Sequence, residues 1–139
     1  MGRENRTYTS LGKSIRALLL RGVSVDADRL SGVSSGMLRH MFMLHSRLAA
    51  KPGRRNELLA ILNEGEREPA LPGCRLYVVA LDEQDPDGVW VTEIWVSGEA
   101  HAGSLEIDRV REQIVRATPL IDAGGIRQQQ LDALSGIPR

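Results

Sequence analysis

Residues Val89–Leu105 read VWVTEIWVSGEAHAGSL, and the way this stretch changes period decides the fold. Its first half is a strand. Val89, Val91, Glu93 and Trp95 fall on one face and Trp90, Thr92, Ile94 and Val96 on the other, because strand side chains alternate. Ser97 then ends the strand and is placed to cap a helix, its hydroxyl accepting from an unpaired N–H of the first turn. Glu99 falls in that turn, where a negative charge suits the positive helix end. The stretch is therefore a strand-to-helix corner that gathers an acid (Glu93), a large aromatic (Trp95) and an imidazole (His101). Both tryptophans of the chain lie here although aromatic residues make up only 4% of it, so the corner is the main candidate for chemistry.

Upstream, Cys74–Asp82 alternates Leu76, Val78 and Ala80 with Tyr77, Val79 and Leu81. Both faces are apolar, so both are expected to be covered. The turn-rich DEQDPDG, Asp82–Gly88, joins this strand to the next as an antiparallel hairpin with a long loop. Four acids stand close together in that loop, but their spacing does not match an EF-hand, and a solvated loop is expected. Further upstream, Met41–Ala49 is the first strand, with Phe42, Leu44, Ser46 and Leu48 facing one way and Met43, His45 and Arg47 the other. After the KPG turn, whose PGRR is not a phosphate loop, Leu58, Ile61 and Leu62 place a helix over Arg54–Glu68, stopped by Pro69. Downstream, Ile107, Val110, Ile114 and Ala117 define a second helix over Ile107–Thr118, and Ile126–Leu134 is the last strand.

The order strand, helix, strand, strand, helix, strand is an α+β, ferredoxin-like βαββαβ arrangement around one antiparallel sheet. Helices cover one face. The other face also carries apolar residues, and in so short a chain a second copy is the simplest cover. A homodimer with two sheets face to face is expected, with His45 at the interface or in the core.

The totals narrow the function. A formal net charge of zero gives no reason to expect nucleic acid or an anionic membrane. Residues 1–40 nevertheless hold seven basic groups against three acids, and the remainder 11 against 15. That break marks residues 1–40 as a disordered extension or linker ahead of a domain over 41–139, with an Arg-rich targeting peptide as the alternative. Cys74 is the sole cysteine, which excludes an intrachain disulfide and a multi-cysteine zinc site and fits a reducing, cytoplasmic setting. No apolar run approaches the roughly 20 residues needed to span a bilayer. The three histidines are too dispersed to make a metal site.

The runs AAKPGRRNELLAIL, LPGCRLYVVALDEQDPDGVWVTEIW, SGEAHAGSL and VREQIVRATPLI together resemble the antibiotic biosynthesis monooxygenase (ABM) family of small dimeric α/β-barrel proteins, which includes proteins named as quinol monooxygenases. The resemblance covers Met41 to Ile137. It implies a cofactor-independent monooxygenase, using neither metal nor flavin, that oxidises a quinol or polycyclic phenol with dioxygen. By this resemblance Trp95 takes the place of the pocket tryptophan. His101 stands where an oxygenase relative has a tyrosine and would receive the phenolic proton, and Arg111 would steady the resulting anion. Val91, Glu93 and Leu105 join Trp95 in contact with the substrate. Two positions depart from the pattern: Val91 replaces a pocket asparagine, and Ser104 replaces a second histidine. Glu93 is expected to pair with an arginine, Arg111 being a candidate, or else to titrate in the pocket. The scaffold also serves other functions. The alternatives are an isomerase or signal-molecule processing enzyme that needs no dioxygen, and a non-catalytic dimeric module that binds an aromatic ligand.

Overall fold

The computed structural model describes residues 40–67 and 70–138; the extension expected over residues 1–40 therefore lies outside the described residues, apart from His40. Four strands, β1 (Met41–Ala49), β2 (Cys74–Leu81), β3 (Gly88–Trp95) and β4 (Arg127–Ala133), form one sheet in the order β2-β3-β1-β4. All neighbouring pairs are antiparallel. The described residues also form three α-helices: α1 (Arg55–Leu62) between β1 and β2, and α2 (Gly98–Ser104) and α3 (Asp108–Ala117) after β3. This is the ferredoxin-like α+β arrangement the element order predicts.

Register fixes which residues share a face. Trp95 pairs with Phe42, Glu93 with Leu44, Val91 with Ser46 and Val89 with Leu48. All of these turn toward the helices. Leu58 of α1 and Ala117 of α3 bury against Val89 and Val91, with Ala50, Leu120 and Ile121 completing that core. A second cluster sits at the other end of the same face, where Phe42 and Leu44 pack on Trp95. On the opposite face, Met41, Ile94 and Ala133 form a smaller cluster. There His45 stacks on Trp90 with ring centroids 4.8 Å apart, and its Nδ1 lies 3.0 Å from the Thr92 hydroxyl. Val78 and Leu131 on this face are exposed in the single chain.

The helix expected over Arg54–Glu68 is shorter as an α-helix. It ends at Leu62, and a 3₁₀ turn continues over Asn63–Arg67. The sequence NEGER explains this, because asparagine and glycine are both poor helix formers and the tighter turn is the common way to finish a helix. Ser97 caps α2 as expected, its Oγ accepting from the Ala100 N–H at 3.1 Å.

Gly73 fixes the corner from below. Its φ of +81° belongs to the left-handed region that favours glycine, and its carbonyl accepts from the Val96 N–H at 2.9 Å. The turn so formed starts β2 with a bulge between Cys74 and Leu76. Two residues then span one step of the partner strand. Cys74 thus lies opposite Trp95 while Tyr77 lies opposite Glu93.

The acidic hairpin loop is held by protein groups. Arg47 donates to Asp82 at 3.1 Å and to Asp85 at 2.6 Å, and the two carboxylates also accept backbone N–H groups of Gln84 and Asp87. No helix among the described residues is long and apolar enough to cross a membrane.

Candidate functional site

A cavity of about 400 Å³ lies between the helix-facing side of the sheet and the helices. Its floor is Ser46, Val91, Glu93 and Trp95. Cys74 and Tyr77 of β2 form one wall, and Ile61 and Leu62 of α1 with Val110, Ile114 and Ala117 of α3 form another. His101 and Ser104 of α2 also line it, as do Arg75, Arg109 and Gln113. The lining is mostly apolar, which suits a small flat ligand fixed by a few polar contacts.

Most polar side chains on this wall are already engaged. Ser46 Oγ accepts from Gln128 at 3.2 Å. Ser104 Oγ donates to the His101 carbonyl at 2.6 Å. Gln113 donates to the Ile61 carbonyl at 3.2 Å, and Thr118 to the Ile114 carbonyl at 2.6 Å. Glu93 and His101 differ in being ionisable and buried.

Trp95 is 1% exposed and touches both. Its indole N–H donates to Glu93 Oε1 at 3.2 Å. Its ring meets the His101 imidazole edge-on, with centroids 5.5 Å apart, while Phe42 stacks on that imidazole at 5.4 Å. His101 Nδ1 is buried with no hydrogen-bond partner among the described residues. Burial shifts both ionisable groups, because a low-dielectric site disfavours charge. The Glu93 carboxyl is pushed up to about 7, its indole hydrogen bond offsetting only part of the cost of burial. The His101 imidazole is pushed down to about 4, so it is neutral over the physiological range.

The structure brings together four of the six residues singled out from sequence: Val91, Glu93, Trp95 and His101 all line the cavity. The other two do not reach its wall. Arg111 is exposed on the outer side of α3, with its guanidinium 3.6 Å from Glu106. Leu105 is buried at the end of α2, and Ser104 takes the lining position. The arginine partner expected for Glu93 is replaced by the Trp95 indole. Sequence reasoning missed Arg109, Gln113 and Tyr77. Arg109 and Gln113 are four residues apart and flank the Val110–Ile114 stripe, so one helical turn brings them to the same side. Tyr77 follows from the hairpin register, once the bulge is known.

Among the described residues no three His, Cys, Asp or Glu side chains converge to hold a metal ion.

A family model described as antibiotic biosynthesis monooxygenase matches residues 41–113, more than half of the chain. The chain belongs to the antibiotic biosynthesis monooxygenase family. The matched region of this ABM protein contains the whole corner and all but a few of the cavity residues. A solved structure from Chloroflexus aurantiacus, provisionally named an antibiotic biosynthesis monooxygenase, is 39% identical, with 69% of this chain and 95% of that one covered and a TM-score of 0.63. Two further structures carry the same provisional name. One from Deinococcus radiodurans is 23% identical over 71% of this chain and 98% of that one, with a TM-score of 0.59. One from Caulobacter crescentus is 20% identical over 70% and 92%, also at 0.59. These two support the fold alone. None of the curated proteins compared matches the chain.

Proposed function

We propose that this ABM protein is a cofactor-independent monooxygenase that oxidises a quinol or polycyclic phenol with dioxygen. The observation that carries this reading is the mostly apolar cavity with Trp95 on its floor and two buried ionisable groups beside that indole. The chemistry asks little more of the protein. A phenol C–H becomes a quinone C=O: one oxygen atom of O₂ enters the ring and the other leaves as water, all four electrons coming from the substrate. The rate depends on first removing the hydroxyl proton, because the anion gives up an electron far more readily than the neutral phenol. The cavity supplies mostly apolar surroundings, a flat surface to hold the ring and a group that receives the proton.

In this reading Trp95 stacks on or edges the substrate ring, and Val91 with the α3 stripe closes over it. His101 is a neutral polar group on the cavity wall, since its low pKa makes it a poor store for a proton. Cationic assistance to the anion comes from Arg109 on the cavity wall, in place of Arg111. A second copy of the chain covers the face that carries Val78 and Leu131, giving a homodimer.

Oxygen uptake by purified, metal-stripped protein with a panel of hydroquinones tests the reading. Uptake above the autoxidation rate that drops in His101→Ala supports it. Uptake at the autoxidation rate, identical in the variant, counts against it. A second reading, proton transfer without dioxygen as in an isomerase, is favoured by a carboxyl whose pKa lies near 7. Turnover that persists under nitrogen distinguishes the two.

A further inference from the structure

The phenolic proton needs a destination, and the cavity contains one, Glu93, that no ion pair among the described residues occupies. We infer that the Glu93 carboxylate, held by the Trp95 indole, is the acceptor that recognises one hydroxyl group of a flat aromatic ligand and takes its proton. The inference rests on the reading of the cavity as the substrate site, but not on any role for dioxygen.

Three observations on the structure converge. Glu93 lies on the cavity floor in the centre of the sheet, between Tyr77 on β2 and Leu44 on β1. The hydrogen bond it receives comes from Trp95 Nε1 and reaches Oε1. A carboxylate has acceptor sites on both oxygens, so one indole N–H leaves it under-satisfied, and a buried carboxylate in that condition is costly. A ligand O–H would supply the missing donor.

Two guanidinium groups, Arg75 and Arg109, line the cavity, yet neither offsets the burial of Glu93. Among the described residues, the titratable or charged side chains that line the cavity besides Glu93 itself are Cys74, Arg75 and Tyr77 from β2, His101 from α2 and Arg109 from α3. β1 and α1 present none to it. Burial is the main cause of the raised Glu93 pKa, and none of these groups contributes to it. Burial first, and the Glu93 charge second, push up the Tyr77 hydroxyl and the Cys74 thiol and favour their neutral forms.

Proton affinity points the same way. Against a phenol of ordinary pKa, about 10, Glu93 is the weaker base by about three powers of ten and His101 by about six. Transfer to Glu93 also conserves charge. The cavity holds one negative charge before the step, on the carboxylate, and one after it, spread over the phenolate ring. Transfer to His101 would instead create a buried cation and anion together, with the desolvation cost this carries.

The test uses the whole chain, 2-naphthol as the hydroxyl-bearing probe and naphthalene as the same shape without the hydroxyl. Equilibrium dialysis measures both from about pH 5 to about pH 8, either side of the point where Glu93 ionises. The affinity for 2-naphthol is expected to rise about tenfold over that range, the worth of a hydrogen bond to a charged group, while that for naphthalene stays level. In Glu93→Gln the rise is lost and both affinities are level. The wild-type profile stands without the variant, should the variant not fold. A level wild-type profile, a rise that persists in Glu93→Gln, or failure of 2-naphthol to bind overturns the inference. The naphthol rise without oxygen uptake on hydroquinones leaves the inference standing and removes only the oxygenase reading.

Discussion

Replacing Glu93 by glutamine is predicted to stabilise the protein, and to do so only on the alkaline side. The glutamine carbonyl still accepts from the Trp95 indole, so the packing and that hydrogen bond survive, and the variant removes only the charge. In the folded state the carboxyl titrates at about 7 against an ordinary value of 4.5. Between those two values the folded protein binds more protons than the unfolded chain, so wild-type stability falls as pH rises. Each pH unit in the window is worth about 1.4 kcal/mol, which gives about 3 kcal/mol in all. Below about pH 4 the carboxyl is neutral in both states and this penalty vanishes. The assay is urea unfolding of wild type and variant at a series of pH values, read as the difference in unfolding free energy. The variant is expected to gain about 3 kcal/mol on wild type between about pH 4.5 and pH 7 and to level off above. A difference that does not change with pH would show that Glu93 carries no buried charge, and would refute the reasoning behind the site.

His101→Gln should give the mirror image: the imidazole is pushed from 6.5 down to about 4, so the unfolded chain binds the extra proton and wild-type stability is lost as pH falls through that window, by about 3 kcal/mol; the same unfolding series checks it, with the variant gaining toward acid. Gly73→Ala should cost about 2–4 kcal/mol, combining the left-handed backbone with overpacking, since a Cβ there would lie 2.8 Å from the Ala100 Cβ and 3.0 Å from Val96; thermal unfolding measures it, and an unchanged melting temperature would contradict the close approach. Ser97→Ala should cost about 1 kcal/mol through loss of the α2 cap, seen as a small drop in the unfolding midpoint with no change in its cooperativity.

The fold was legible because its signals are periodic. Alternation at Val89–Trp95 and Phe42–Leu48 gave the faces that the strand pairing places toward the helices, and Ser97 marked the start of α2 by the chemistry of its side chain. The end of α1 was less legible, because asparagine and glycine in NEGER convert an α-helix to a 3₁₀ turn without breaking the chain's course. Of the site, the corner residues were readable from a single stretch, since a strand face and the following helical turn are local geometry. Arg111 was not, because choosing it over Arg109 means knowing how α3 is rotated about its axis, and two residues along a helix differ by about 200°. Nor could sequence settle whether Glu93 meets an arginine or an indole. That depends on a contact only two residues away along the strand, made by the rotamers of Glu93 and Trp95, which carry no periodic signature.

The most direct test of the account is a crystal structure of the protein soaked with 2-naphthol. The account predicts the naphthalene ring in the cavity against Trp95, with the hydroxyl oxygen within hydrogen-bonding distance of Glu93. A cavity left empty at saturating naphthol, or a ring bound there with its hydroxyl turned away from Glu93 toward solvent, would contradict it.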